Sequence, residues 1–210
     1  MSDTMRTFVF ALVLSLVCST LLAVVSGHCQ PRYEQNKLLE RKTKTLSVLG
    51  IETPEEAKAD RINGLYGENI VEKKDAEGSV LAYEYRDKDA DKLVGVAFPI
   101  RGKGLWGPIG GMMALEGDRA TIRGIRFFEH QETPGLGAEI EKDWFQDQFK
   151  GKKAIDEKTG KVVIRVAKPG AQPGTNEVDG ISGATLTGEG VNELLAREIE
   201  SFLERYKPNE

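Results

Sequence analysis

Cysteine is nearly absent from this 210-residue chain. Its two copies, Cys18 and Cys29, both fall in or beside one apolar N-terminal run. The rest of the sequence has none, which excludes a disulfide framework or a thiolate metal site there. Histidine is as sparse: His28 sits beside the apolar run and His130 stands alone, so no imidazole-based metal site is expected. An excess of one charge sign is also missing. The formal net charge is −4, which gives no electrostatic footprint for nucleic acid. There is no internal repeat and no low-complexity tract. What is present is the 40% hydrophobic, 30% charged composition of one folded domain plus an appendage, with 23 glycines to supply turns and close backbone contacts.

The appendage is N-terminal. Residues 7–25, TFVFALVLSLVCSTLLAVV, carry no charge. As a helix that run spans about 28 Å, close to the ~30 Å hydrocarbon core of a bilayer. A cleaved signal peptide has a shorter apolar core of about 7–15 residues, and His28 stands where a lipoprotein signal needs a small residue before Cys29. A retained transmembrane helix is therefore expected. Its orientation is undecided on charge. Only Arg6 precedes the run and Arg32, Lys37, Arg41, Lys42 and Lys44 follow it, which by count puts the large domain in the cytoplasm. Long domains, however, translocate regardless of such counts.

The periodicity after the run predicts an α+β fold, mainly an antiparallel sheet packed by helices. Leu38, Leu39, Leu46 and Leu49 among charged residues predict an amphipathic helix over 36–49. Its basic cluster Arg41, Lys42 and Lys44 reads as a solvated face or as a contact with anionic lipid. Thr53-Pro54-Glu55-Glu56 has the cap, proline and acids of a helix start. Strands are predicted over 79–86, 92–100, 109–116, 121–129 and 161–166, joined by short turns that favour a meander over βαβ units. In 79–86, Leu81, Tyr83 and Tyr85 form the apolar face, and Glu84 marks the other face as partly solvated. Trp144, Phe145 and Phe149 suggest a short packing helix. Residues 167–176 read as a Pro/Gly-rich loop. Val191, Leu194, Leu195, Ile199, Phe202, Leu203 and Tyr206 then recur at three and four, the stripe of a closing helix. The organisation read here is an anchor at 1–27, a helical linker at 28–65 and a globular domain at 66–210.

Three stretches bear on chemistry. Gly102-Lys103-Gly104-Leu105-Trp106-Gly107 matches dinucleotide-binding spacing, but Pro108, Gly110 and Gly111 follow where a helix is required. A tight loop with Trp106 as its packing anchor is expected instead. Glu129-His130-Gln131-Glu132-Thr133-Pro134-Gly135-Leu136-Gly137 reads as an ordinary Pro-Gly turn, or as a loop that sets Leu136 against a flat ring. Asp179-Gly-Ile-Ser-Gly-Ala-Thr-Leu-Thr187 opens the closing helix. Its hydroxyls and small residues suit either a plain N-cap or a bound phosphate at the positive end of a helix.

In this order, the stretches Asn36-Lys37-Leu38-Leu39, Gly104-Leu105-Trp106, Glu129-His130, Glu132 to Gly137 and Asp179 to Thr187 resemble the C subunit of the bacterial sodium-translocating NADH:quinone oxidoreductase. The specific part is Asp-x-x-Ser-Gly-Ala-Thr, similar to the recognition sequence of a flavin transferase. The resemblance implies an electron-transfer protein with FMN as its cofactor, covalently linked through its phosphate to Thr185 with Thr187 as the alternative acceptor. It implies flavin contacts from Ser182, Gly183, Ala184, Leu186, Glu132, Thr133, Leu136 and Gly137. No catalytic acid, base or metal ligand is needed, because flavin supplies the redox chemistry. It further implies an FMN-binding domain at 66–210, partner subunits of an inner-membrane complex working with NADH, ubiquinone and sodium, and maturation by the transferase. Lipid would be met through one helix, and the soluble domain would be periplasmic. The chain stops soon after the closing helix, a departure that bears on contacts with neighbouring subunits. The G subunit of the Rnf electron-transport complex shares the flavin motif and stays open as an alternative, as does a membrane-tethered module without redox function.

Overall fold

In a computed structural model, which describes residues 2–54, 57–75, 77–87, 90 and 92–207, the N-terminal run and its sequel form one helix, α1, Asp3–Val48. The apolar part of α1 is long enough to cross a membrane and none of it is buried in protein. The chain divides into two compact units, Met1–Arg41 and Lys42–Glu210. The domain unit thus includes the last turns of α1. Helix α2, Ala59–Asn69, follows.

The start of α2 corrects the expectation built on Thr53 and Pro54. These two residues are outside any helix, and Glu55 and Glu56 lie outside the described residues. Pro54 closes only a single turn, its carbonyl accepting the Ala57 amide at 2.9 Å. The helix begins where Ile62 and Tyr66, one turn apart, can both be buried.

Five strands come next: β1 Ile70–Lys74, β2 Val80–Arg86, β3 Leu93–Lys103, β4 Pro108–Glu116 and β5 Ile122–Glu129. They form one antiparallel sheet in sequential order; β2 to β5 are the predicted meander, and β1 adds an edge strand outside that prediction. Beyond it lie two short 3-10 turns flanking α3, Asp143–Gln146. The two-residue strands β6 Arg165–Val166 and β7 Glu177–Val178 pair in parallel, and α4, Thr185–Arg205, ends the fold.

Helix α4 covers one face of the sheet. Val191, Leu194, Leu195, Ile199 and Phe202 join Ala82, Val96, Phe98 and Ile100 in a single core, with the Phe98 and Phe202 rings stacked at 4.0 Å. The other face is covered as well. Leu46 at the end of α1, Leu49 just beyond it, and Ile62 and Tyr66 from α2 are buried, and Tyr66 meets Tyr83 edge-on. Cover on both sides is complete at the centre of the sheet, which is why β4 is buried at every interior position, while the ends of β3 and the edge strand β1 keep exposed residues.

Glu84 shows the consequence. Its strand face, expected to be partly solvated, is turned to α4, and Glu84 is 0% exposed. The carboxylate is satisfied internally. It accepts the Tyr206 hydroxyl at 2.7 Å and the Arg86 Nε at 2.8 Å, with Lys73 at 4.0 Å. Burial first, and then the facing carboxylate, push the Tyr206 phenol well above its ordinary range.

Two members of the basic cluster on α1, Lys42 and Lys44, are engaged within the domain. Lys42 donates to Asn63 at 2.6 Å and lies over the Tyr66 ring, and Lys44 lies over the Phe128 ring. The predicted strand over 161–166 shrinks to β6 plus one isolated bridge from Val162 to Ile155. Its partner β7 emerges just after the stretch read as loop.

Candidate functional site

The closing helix starts at Thr185, the residue the motif singles out. Its N-cap is Ala184, which lacks a side-chain oxygen, and no side-chain cap is formed. The plain N-cap reading is thereby overturned: neither Ser182 nor a threonine satisfies the first-turn amides, which by helix geometry have no intrahelical acceptor. Ser182, Gly183 and Thr185 are exposed, as is Leu186, while Ala184 is buried. The helix entrance therefore presents free N–H groups, the positive end of a 21-residue helix and an accessible hydroxyl.

The two candidate acceptors differ sharply. Thr187 is 1% exposed, and its hydroxyl donates to Glu132 Oε2 at 2.6 Å. Thr185 faces solvent.

Upstream, the motif is positioned by its aspartate. Asp179 Oδ1 accepts the Gly170 amide at 2.8 Å, and the Asp179 amide donates to Gln148 Oε1 at 2.8 Å. Downstream, Asn192 of α4 binds both backbone groups of Val166. It accepts the N–H at 2.6 Å and donates to the carbonyl at 3.1 Å, so β6 is held on the helix.

The Leu136 loop meets the motif in space. Gly183 has a φ of +76°, and a Cβ built on it would come 2.9 Å from Leu136 Cδ2. Only glycine accepts both the left-handed backbone and this approach without strain. Thr133 closes the loop through its carbonyl, which accepts the Leu136 and Ala138 amides at 3.1 Å each. Gly137 lies against the Glu132–Thr187 hydrogen bond, where a Cβ would be 2.5 Å from Thr187 Oγ1. Glu132 Oε1 accepts the Leu105 and Trp106 amides at 2.8 and 3.1 Å.

Those last two residues form the tip of the β3–β4 hairpin, closed by the Gly104 amide donating to the Gly107 carbonyl at 2.7 Å. A strand follows the glycines, so the dinucleotide spacing has no helix to act with. Trp106 is no packing anchor either. It is 67% exposed, because its amide and not its ring is held. His130 is structural: Nδ1 accepts the Glu132 amide at 3.2 Å, so the ring hydrogen is on Nε2, 3.0 Å from Glu141.

Leu105, Trp106, Leu136 and Leu186 are the exposed apolar side chains of these segments, the last two 42% and 57% exposed. A separate cavity of about 720 Å³ is lined by Arg101, Lys103, Pro108, Arg197 and Glu198, none of them in the motif. Among the described residues no group of three or more His, Cys, Asp or Glu is arranged to hold a metal ion. The roles of Leu105, Asn192 and Gln148 carried no sequence signal, since each contact joins residues far apart in the chain.

Comparison with known proteins gives three findings. Residues 104–200 match the FMN-binding domain family. The chain is 34% identical to the C subunit of the Na(+)-translocating NADH-quinone reductase of Vibrio alginolyticus, over 85% of this chain and 83% of that protein. The corresponding protein of Pseudomonas aeruginosa is 30% identical over 92% and 90%. Among solved structures, the C subunit of the same reductase from Parabacteroides distasonis superimposes with a TM-score of 0.71 at 27% identity, over 86% of this chain and 98% of that one.

Proposed function

This chain belongs to the family of C subunits of Na(+)-translocating NADH-quinone reductases, and on that premise we propose that it carries FMN through a phosphoester on Thr185 and passes electrons within that membrane complex. The observation that carries the linkage is the contrast at the start of α4. Thr185 is exposed beside uncapped amides, whereas Thr187 is buried with its hydroxyl committed to Glu132. A phosphodiester at Thr185 would meet the free first-turn N–H groups and the helix dipole. Small residues at 183 and 184 leave the approach open.

Attachment is a phosphoryl transfer with FAD as donor. In that transfer the Thr185 Oγ would be the nucleophile, forming a P–O bond to the FMN phosphorus as the pyrophosphate P–O bond broke with AMP as leaving group, and the hydroxyl proton would pass to a base of the transferase. The flavin, once bound, supplies one- and two-electron chemistry. This chain's residues orient it. Leu186 follows the acceptor and Leu136 lies against Gly183 two residues before it, and both are exposed apolar side chains that suit a flat aromatic ring. Ser182, Gly183, Ala184, Thr133 and Gly137 shape the backbone around it.

We place the domain in the periplasm, anchored by α1 in the inner membrane beside partner subunits, with a flavin transferase acting in maturation and with NADH, ubiquinone and sodium handled by the complex as a whole. The placement rests on the family resemblance: Lys42 and Lys44 are engaged in packing, and the remaining charge count is overridden because long domains translocate largely regardless of it. The names of the two relatives described above, both from the NADH-quinone reductase, favour this over an Rnf-type protein, and the FMN-binding match favours it over a module without redox function.

The test is Thr185→Ala in the full chain co-expressed with a flavin transferase. Fluorescence in a denaturing gel and fragment masses are expected to show loss of bound flavin, with circular dichroism unchanged. Undiminished flavin in that variant would sink the assignment.

A further inference from the structure

We propose that Glu132 is the positioning residue of the flavin site. Its buried carboxylate ties the tip of the β3–β4 hairpin and the 133–137 turn to the first turn of α4, and so fixes how a flavin on Thr185 is held. The inference rests on the Thr185 reading above.

Glu132 is 5% exposed. Its Oε1 accepts two amides, Leu105 at 2.8 Å and Trp106 at 3.1 Å, and its Oε2 accepts the Thr187 hydroxyl at 2.6 Å. The partners stand 26 to 55 residues away in sequence. Its own amide is fixed too, donating to His130 Nδ1 at 3.2 Å. The backbone closes on the carboxylate from both sides. A Cβ on Gly104 would lie 2.5 Å from Oε1, and one on Gly137 2.6 Å from Oε2.

A buried carboxylate is tolerated only when its oxygens are hydrogen-bonded, and here each of them is. It also lies against the first turn of a helix, where the dipole favours an anion. A phosphate on Thr185 would not compete with this carboxylate for donors. The carboxylate takes the Thr187 side chain from inside the protein, and the exposed Thr185 side leaves the amides for phosphate.

What Glu132 holds is the backbone beneath exposed apolar side chains. Leu105 and Trp106 are presented by amides bonded to it. Leu136 is presented by a turn that begins at the next residue and touches Gly183. If the carboxylate is removed, two amides and a hydroxyl lose their acceptor, and both loops lose their common tether to α4. The helix and sheet, packed elsewhere, remain.

The experiment compares Glu132→Ala, Glu132→Gln and Thr187→Val with the wild-type full chain, each co-expressed with a flavin transferase and purified in detergent. Fragment masses locate the flavin. Flavin fluorescence anisotropy and iodide quenching then report how it is held, and thermal melting of the same samples reports the fold. The expected result is flavin on Thr185 throughout, with a loss of anisotropy and increased quenching in Glu132→Ala. Glu132→Gln, which keeps the shape with an acceptor for the amides and a donor for Thr187, should restore most of both. Thr187→Val, which removes one tether without unpairing an amide, should fall between. Wild-type anisotropy and quenching in a flavinylated, folded Glu132→Ala would overturn the proposal, as would failure of Glu132→Gln to restore either. If Glu132→Ala does not fold, Thr187→Val decides, and wild-type values in it refute the tether. Flavin found on another residue in the wild type would refute the Thr185 reading, leaving Glu132 to be judged on mobility alone.

Discussion

Replacing Gly183 by alanine tests the join between the acceptor motif and the Leu136 loop, and a matched control exists one loop away. Gly183 and Gly135 share nearly the same left-handed backbone, with φ of +76° and +73°. The conformational cost of a Cβ there is about 1–2 kcal/mol at either site. Their surroundings differ. A Cβ on Gly135 meets nothing within 4 Å, whereas one on Gly183 comes 2.9 Å from Leu136 Cδ2. Leu136 is 42% exposed and can swing outward, so the added steric cost stays below the ~1–3 kcal/mol of an overpacked core.

Gly135→Ala is therefore expected to lose only the backbone cost in urea unfolding. Gly183→Ala should lose that plus roughly 0.5–1 kcal/mol, and Leu136→Ala in the same chain should recover the excess as a coupling energy. The displaced Leu136 should also leave the attached flavin more accessible to iodide in Gly183→Ala and not in Gly135→Ala. Equal losses in the two single variants, with additive behaviour alongside Leu136→Ala, would refute the contact and with it the convergence of the two loops.

Two further outcomes follow from the rest of the fold. The Tyr206 phenol is raised in the folded state, so its contribution to stability is complete below its unfolded value of about 10 and is lost as pH rises toward the folded value. Tyr206→Phe should flatten that alkaline loss in urea titrations between neutral and strongly basic pH. At neutral pH it should cost about 1–3 kcal/mol, because Glu84 loses a buried donor. A chain starting at Lys42 should melt as one cooperative domain. A chain starting at Gly50 removes the buried Leu46, Val48 and Leu49, at about 1.5–3 kcal/mol each, and should melt far lower or not fold. Equal melting temperatures for the two truncations would show that the end of α1 is dispensable.

Much of the architecture was legible because it rests on local pattern. Four of the five meander strands followed from strand-length apolar runs separated by turns too short for crossovers, whereas the edge strand β1 went unread because its mixed sequence IVEKK gains its regularity from pairing with β2. The stripe from Val191 to Tyr206 named the face of α4 that is buried. The points that escaped share one physical cause, a partner distant in sequence. Glu84 looked solvated because a carboxylate on a strand face usually is, and only Tyr206 and Arg86 arriving on that side make its burial tolerable. Trp106 looked like an anchor because an isolated indole in a glycine loop usually packs inward. Here the loop is held by its backbone amides, leaving the ring outside. Strand β7 was unreadable because two residues gain their regularity from pairing with Arg165 and Val166 alone.

The acceptor motif divides the same way. Residue order alone determined that a threonine follows Ser-Gly-Ala at the start of a long amphipathic helix, since the small residues and the apolar period are both local. The resemblance put Thr185 first and Thr187 as the alternative, but local chemistry alone does not separate two threonines two residues apart. That distinction comes from Glu132, 55 residues from Thr187 in the chain. Folding brings its carboxylate under one hydroxyl and leaves the other in solvent, because side chains two residues apart on a helix point to nearly opposite sides: one toward the buried hairpin, the other toward open space.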